Sequence, residues 1–394
     1  MEGVTRIQRL AALAALALLA AGCGTQRSAD PARSSAPAAP GAARASATAT
    51  FTLLATGDVL PHNEIIRQSG GNAGGHGHDF RTMFAGVKPV VSGADLAICH
   101  METIYGRDGG PFTGYPSFKS PPEVAAALKN AGYDSCSTAS NHTLDDGADG
   151  VRRTLDAMDA VGLRHTGSAR SAAEAARPAL LRAGPAKVAQ LSYTYGTNGI
   201  PLPDKAPWTV NLIDRKKIID DARAARRAGA DVVVVSIHWG TEWQPEPDEQ
   251  QRTLARALTA SRTAGRPDID LILGTHAHIP QAYEKVNGVW VVYGMGDQLA
   301  GRMYHGDQQD GRGNQSSMAR FTFAGPFGPG RRWTVRKAEF LPQLTDINDG
   351  FRVVNLNAAL ARQPDRSDYV RARDAIRTIV LSRGAGRSGL IMAN

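Results

Sequence analysis

From residue 51 onward, short, mainly apolar runs alternate with stretches whose apolar residues recur at helical spacing. The runs at 51–56, 94–99, 231–237 and 269–273 show little polar alternation, which predicts strands buried on both faces. Residues 133–138 add another strand, closed off by Gly132 and Ser140. Pro121-Pro122-Glu123 opens a helix that runs to 129, proline being suited to a first turn. A second helix spans 145–161, with Val151, Leu155 and Met158 on one face, and 215–228 and 248–264 read the same way. Residues 180–193 read as a hairpin about Gly184-Pro185, and 281–286 with 289–293 as a later pair of strands. Strands alternating with helices predict an α/β fold. The later pairs suggest a second, more antiparallel sheet, hence a β-sandwich flanked by helices. Residues 301–317, rich in Gly, Asp and Gln, read as a long surface loop, and 368–381 as an Arg-rich helix capped by Ser367.

The N-terminus reads as an address. Arg6 and Arg9 precede an unbroken Leu/Ala run at 10–21, too short for the roughly 20 residues of a membrane span and typical of a secretory signal. It ends in Leu19-Ala20-Ala21-Gly22-Cys23, which resembles a bacterial lipobox and implies lipidation of Cys23; an ordinary signal peptide with a chance cysteine is the plainer alternative. Residues 1–22 are then a lipoprotein signal peptide. Residues 23–50, mostly Ala, Ser, Pro, Thr and Arg, form a disordered tether, because they lack the apolar surface to offset ordering entropy. The globular part, 51–300 with a C-terminal extension at 301–394 packed on it, is expected at the outer face of the cell membrane. An oxidising compartment would allow a Cys99–Cys136 disulfide, but their place in strand-like runs favours buried thiols.

Charge narrows the partners. Lys and Arg number 45 against 37 Asp and Glu, a net +8. The basic residues are scattered over Ala-rich helices such as 222–230, without the stripe that nucleic-acid binding needs. A chain of 394 residues, 42% hydrophobic, can bury a self-sufficient core.

The chemistry lies where strands end. Asp58, Glu102, Asn141-His142, His238, and His276 with His278 each follow a predicted strand, and working sites of α/β sheets lie beyond the carboxyl ends of their strands. Each residue alone has an ordinary structural reading as a cap, a turn or a hydrogen-bonded histidine. Together they form a mixed nitrogen and oxygen set suited to one or two divalent ions (Mn, Fe, Zn or Mg), and the absence of Cys from the set argues against structural zinc.

The ordered motifs Gly57-Asp58-Val59, Glu102, Asn141-His142, His238-Trp239-Gly240 and Gly274-x-His276-x-His278 resemble the CapA family of poly-γ-glutamate capsule biosynthesis proteins, a branch of the calcineurin-like metallophosphoesterases. The resemblance implies a two-metal centre. Asp58 and His278 would serve one ion, Asn141, His238 and His276 the other, with Glu102 near the bridge. His142 would be a non-ligand proton donor to the leaving oxygen. Three positions depart from the family pattern. His100 stands where Asn is usual, and Leu60 where the superfamily has a ligand His. Gly296-Asp297-Gln298 stands for Gly-Asn-Phe. His62 either replaces the ligand missing at Leu60 or faces solvent. Lys119 either pairs with an anionic substrate group at the rim or is an ordinary loop lysine, and Trp239, Trp243 and Tyr304 either wall the cleft or pack. Two functions follow from the resemblance: a lipid-anchored, metal-dependent hydrolase of a phosphoester or polymer linkage, or a non-catalytic component that binds, tethers or helps export an anionic capsule polymer.

Overall fold

The computed structural model describes residues 48–326 and 332–394. The expected signal peptide, Cys23 and the tether as far as residue 47 lie outside the described residues. The last tether positions do not: β1 (Thr48–Leu60) begins three residues earlier than the pattern predicts, because Thr48, Ala49 and Thr50 pair with a late strand of the chain.

β1 lies beside β2 (Leu96–Met101), which continues through β3 (Ser135–Ser137) to β4 (Arg164–Thr166), all parallel. β5 (Ala179–Ala183) and β6 (Ala186–Thr194) make the expected hairpin, and β6 pairs in parallel with β7 (Val232–His238). The helix expected over 248–264 spans Glu249–Ala260, and the residues after it turn back as the two-residue strands β8 (Arg262–Thr263) and β9 (Arg266–Pro267). Ala264 and Gly265 between them both take left-handed backbone, the geometry of a tight hairpin turn. β10 (Leu271–Thr275) follows, then the hairpin β11 (Tyr283–Val286) and β12 (Val289–Val292). β13 (Asp297–Ala300) returns to the end of β1, followed by the short pair β14 (Tyr304–His305) and β15 (Gln308–Gln309). β16 (Gln315–Pro326), β17 (Thr334–Asp346) and β18 (Arg352–Asn355) extend the first sheet in antiparallel fashion, and β19 (Leu390–Met392) pairs with β17.

The result is a nine-stranded mixed sheet facing a six-stranded one of order β11-β12-β10-β7-β6-β5. The second sheet is less antiparallel than expected. Its inner strands β6, β7, β10 and β12 are parallel, because the helices Arg215–Arg227 and Glu249–Ala260 serve as crossovers. Antiparallel pairing is found at its edges and in β16–β18, so the 301–394 segment is part of the sandwich itself. The loop expected over 301–317 ends early, since Gln315 already starts β16. Ser367 is the first residue of the Ser367–Leu381 helix and not its cap, a position taken by Arg366.

Strand periodicity explains the packing. Phe51, Leu53 and Ala55 of β1 point between the sheets, against Val232, Val234, Leu271, Phe321 and Phe323. Leu54 and Val59 point the other way, into a second core with Cys99, Val124 and Leu128. Burying a side chain such as Leu53 contributes about 1.5–3 kcal/mol. No helix among the described residues is long and apolar enough to cross a membrane.

Cys99 and Cys136 form a disulfide, contrary to the expectation of buried thiols. The pairing of β2 with β3 sets them opposite each other, with Cα atoms 4.4 Å apart, a register that sequence spacing cannot reveal. Unfolded but unreduced protein should offer neither of these two thiols to an alkylating reagent. Cys99→Ser should lower stability by about 2–4 kcal/mol in denaturant titrations; alkylation of both residues without reductant would contradict the bond.

Candidate metal centre

Asp58 is placed by an irregularity. The pairing register of β1 shifts on both sides near Asp58, and such bulges re-aim side chains. A Cβ on Gly57 would lie 1.7 Å from the Gly296 carbonyl oxygen, so only glycine lets the two backbones meet there. The Asp58 N–H then donates to Gly296 O at 3.1 Å. Its Oδ2 accepts the His276 N–H at 3.0 Å, while Oδ1 lies 3.7 Å from His100 Nε2 and 3.9 Å from His238 Nδ1.

Around this residue the parallel strands of both sheets deliver the rest. Asp58, His100 and His238 can offer ligand atoms to one point; so can Glu102, His276 and His278, and so can Asp58, Glu102, His278 and Asp297. Asp58, Glu102 and His278 each belong to two of these groups. His276 falls with Glu102 and His278, although its ring is also 4.7 Å from that of His238. The Asn141 Oδ1 lies 2.8 Å from His238 Nε2. The structure thus gathers Asp58, Glu102, Asn141, His238, His276 and His278, and adds His100 and Asp297. His278 Nδ1 is 3.0 Å from Asp297 Oδ1, and His100 Nδ1 is 2.8 Å from Ser137 Oγ. These contacts leave the Nε2 atoms of both rings as the free ligand atoms. Tyr195 lies over the cluster, its ring 4.4 Å from that of His276. His276 and His278 both take left-handed backbone, φ 95° and 59°, conformations rare for such residues and concentrated at functional sites.

The electrostatics fit a cation. Asp58 Oδ1, His100 Nε2, both Glu102 oxygens, His276 Nδ1 and Asp297 Oδ2 are buried without any hydrogen-bond partner, a costly arrangement unless something charged completes it. Burial and then the Asp297 charge push the Asp58 carboxyl up to about 8. Burial likewise raises Glu102, with Asp58 as the next cause. Burial lowers His100 to about 3 and holds His238 and His276 well below the ordinary histidine range. His278 goes the other way: burial opposes its charge, but Asp297, Glu102 and Asp58 outweigh it. Carboxyls raised by burial beside imidazoles that burial depresses are what divalent ligation would relieve, and the nitrogen and oxygen donor set fits such an ion.

His142 stands apart from these groups. Its Nδ1 is 2.7 Å from Asp145 Oδ2, and that oxygen also accepts the Phe118 N–H at 2.7 Å. The ring is thereby fixed with Nε2 free, on the wall of a cleft that it shares with His278. By sequence alone, Asp145 is only the first residue of the 145–161 helix. Lys119 forms an ion pair with Asp146 at 2.9 Å and is not among the residues lining that cleft. His62 lines the cleft but stays outside the cation-capable groups; its Nδ1 is 3.0 Å from the Leu60 carbonyl, and burial lowers it to about 4.

Several known proteins resemble this chain. The capsule biosynthesis protein CapA of Bacillus anthracis is 28% identical over 178 residues, covering 44% of this chain and 42% of that protein. A probable polyglutamine synthesis accessory protein of Mycobacterium tuberculosis is 27% identical over 214 residues, covering 52% of this chain and 55% of that one. The chain thus spans about half the length of the curated relatives it matches. Among solved structures, the calcineurin-like phosphoesterase YfkN of Bacillus subtilis aligns with a TM-score of 0.42 at 13% identity, covering 84% of this chain and all of that one. Residues 52–302, which hold every member of the cluster, match the family described as bacterial capsule synthesis protein PGA_cap, and the chain belongs to that family.

Proposed function

We propose that this protein is a lipid-anchored, extracytoplasmic member of the capsule and poly-γ-glutamate biosynthesis machinery that hydrolyses a phosphoester or polymer linkage with one or two divalent ions. The observation that carries this reading is the set of buried, unpartnered ligand atoms on Asp58, His100, Glu102, His276 and Asp297 beside a cleft that also exposes His142. A bound divalent ion there would lower the pKa of a water toward 7 and stabilise charge on phosphoryl oxygens. The chain's own contribution is proton control. Asp145 holds His142 by Nδ1, so Nε2 can protonate a leaving oxygen in the cleft. The Cys99–Cys136 disulfide supports an oxidising compartment, consistent with Cys23 as an anchor. The mycobacterial relative is named a synthesis accessory protein, which favours a second reading: non-catalytic binding of an anionic polymer to the same fold.

Metal content, thermal stability, turnover and cellular location test this. Elemental analysis after incubation with manganese should give about one to two ions per chain, fewer in His238→Ala and His276→Ala. Manganese should raise the melting temperature, more at pH 8 than at pH 6 because ligation requires deprotonated ligands. A chain that stays metal-free would refute the centre.

His142→Ala should keep its metal yet lose about 100-fold in turnover of a chromogenic phosphodiester, with a smaller loss for better leaving groups. Asn141→Ala should lower metal content and turnover together. Metal loss from His142→Ala would overturn its assignment as proton donor, and a metal-loaded wild type without turnover would favour the binding reading.

Cys23→Ala should release the protein into the medium, as detected by fractionation. A wild type that is already soluble would refute the anchor.

A further inference from the structure

Resting on the metal-centre reading above, we infer that the cleft beside the cluster selects the leaving group, and that this group is a neutral, hydroxylated sugar ring carried on phosphate. The cleft, of about 600 Å³, shares His278 with the centre and is also lined by His142. Beside its histidines, Glu242 and Arg302, the lining carries large aromatic and apolar side chains: Trp243, Phe118, Tyr115, Tyr304 and Met303. Trp243 stacks on His305, with ring centroids 5.3 Å apart and planes 16° from parallel, and its ring is 6.4 Å from that of His278. Tyr115 and Tyr304 are 74% and 54% exposed, large rings left open at the mouth.

The Trp243 wall is built at a cost. Its φ is 64°, a left-handed conformation that is an outlier for so bulky a residue. The Trp243 N–H donates to Ala277 O at 3.0 Å, which ties the ring's position to the His276–His278 turn. Gly313, in the segment that reads as a surface loop, makes room for the ring: a Cβ there would lie 2.8 Å from the Trp243 ring and 2.6 Å from Met303 Cβ. Strain maintained by surrounding contacts, at the edge of a ligand cluster, marks a residue held for function.

Charge decides the class of ligand. The cleft's Arg302 is already paired with Glu64 at 2.6 Å, and Lys119 is paired with Asp146. Glu242 adds a carboxylate to the lining, its Oε1 4.0 Å from Nε2 of both His276 and His278. A polyanion would meet this carboxylate and apolar rings, and the one guanidinium among the described lining residues is already paired. A sugar ring would pack its C–H face on Trp243 and give hydroxyl hydrogens to Glu242. In the step, a water oxygen bonds to phosphorus and the bond from phosphorus to the sugar oxygen breaks. The His142 Nε2 proton goes to that sugar oxygen, and a proton of the attacking water passes to solvent.

Calorimetry on the manganese-incubated full chain, with non-hydrolysable methylene-phosphonate analogues, tests this. The glucose 1-phosphate analogue should bind about tenfold tighter than the glycerol phosphate analogue, the size of a good ring contact. Trp243→Ala should abolish that preference with metal content kept, and Trp243→Phe should retain most of it. Should Trp243→Ala not fold, Tyr304→Ala probes another, exposed aromatic of the lining and should reduce the preference. Equal affinity for the two analogues, a tighter adenosine monophosphate analogue, or displacement of the glucose analogue by oligo-γ-glutamate would each overturn the assignment while leaving the metal centre intact. A chain that binds no manganese overturns the centre, and this inference with it.

Discussion

The two sheets meet at Asp58. Its backbone N–H is bound to Gly296 and one carboxylate oxygen to the His276 N–H, while the other oxygen faces His100 and His238. One residue at the end of β1 therefore touches the loop before β13, the turn after β10, and the ends of β2 and β7. The contact is possible because Gly57 has no Cβ to strike the Gly296 carbonyl, while Gly296 in turn leaves room for the Gln315 carbonyl. The other candidate ligands His100, His238 and His276 lie directly against this junction.

This convergence carries an electrostatic debt. Asp58, Glu102 and Asp297 are buried together, and burial raises all three carboxyls. Burial holds His100, His238 and His276 low, whereas His278 is driven toward its charged form by those same carboxylates. A packed interior would normally exclude such a set or pair it fully. Its retention at the mouth of a cleft, with left-handed backbone at His276, His278 and Trp243, concentrates desolvation and strain where ligand chemistry can use them.

The C-terminal part is structural support for this arrangement. β16 pairs along most of β1, and the Ser367–Leu381 helix packs Tyr369, Ile376 and Val380 into the inter-sheet core. Ser317 N–H bonds Met295 O beside Gly296, so β16 also fixes the turn that receives Asp58. Residues beyond the family-matched 52–302 thus hold the rear of the site.

Much of this was legible in the sequence. Apolar runs marked the strands buried on both faces, and the polar residues just after them, Asp58, Glu102, Asn141, His238, His276 and His278, named themselves by position, because side chains at carboxyl ends of parallel strands share one edge. What the chain alone left undetermined depended on distance between segments. Strand register alone set Cys99 opposite Cys136 and His100 beside Asp58. Asp297 reads as a departure from a family pattern until β13 folds back beside β1 and lays it against His278. Asp145 reads as the first residue of a helix until the loop brings it to His142. Local periodicity determines which face a residue takes along its own element; which two elements lie together is decided by burial and hydrogen bonding summed over the whole chain, and only the tertiary structure records that sum.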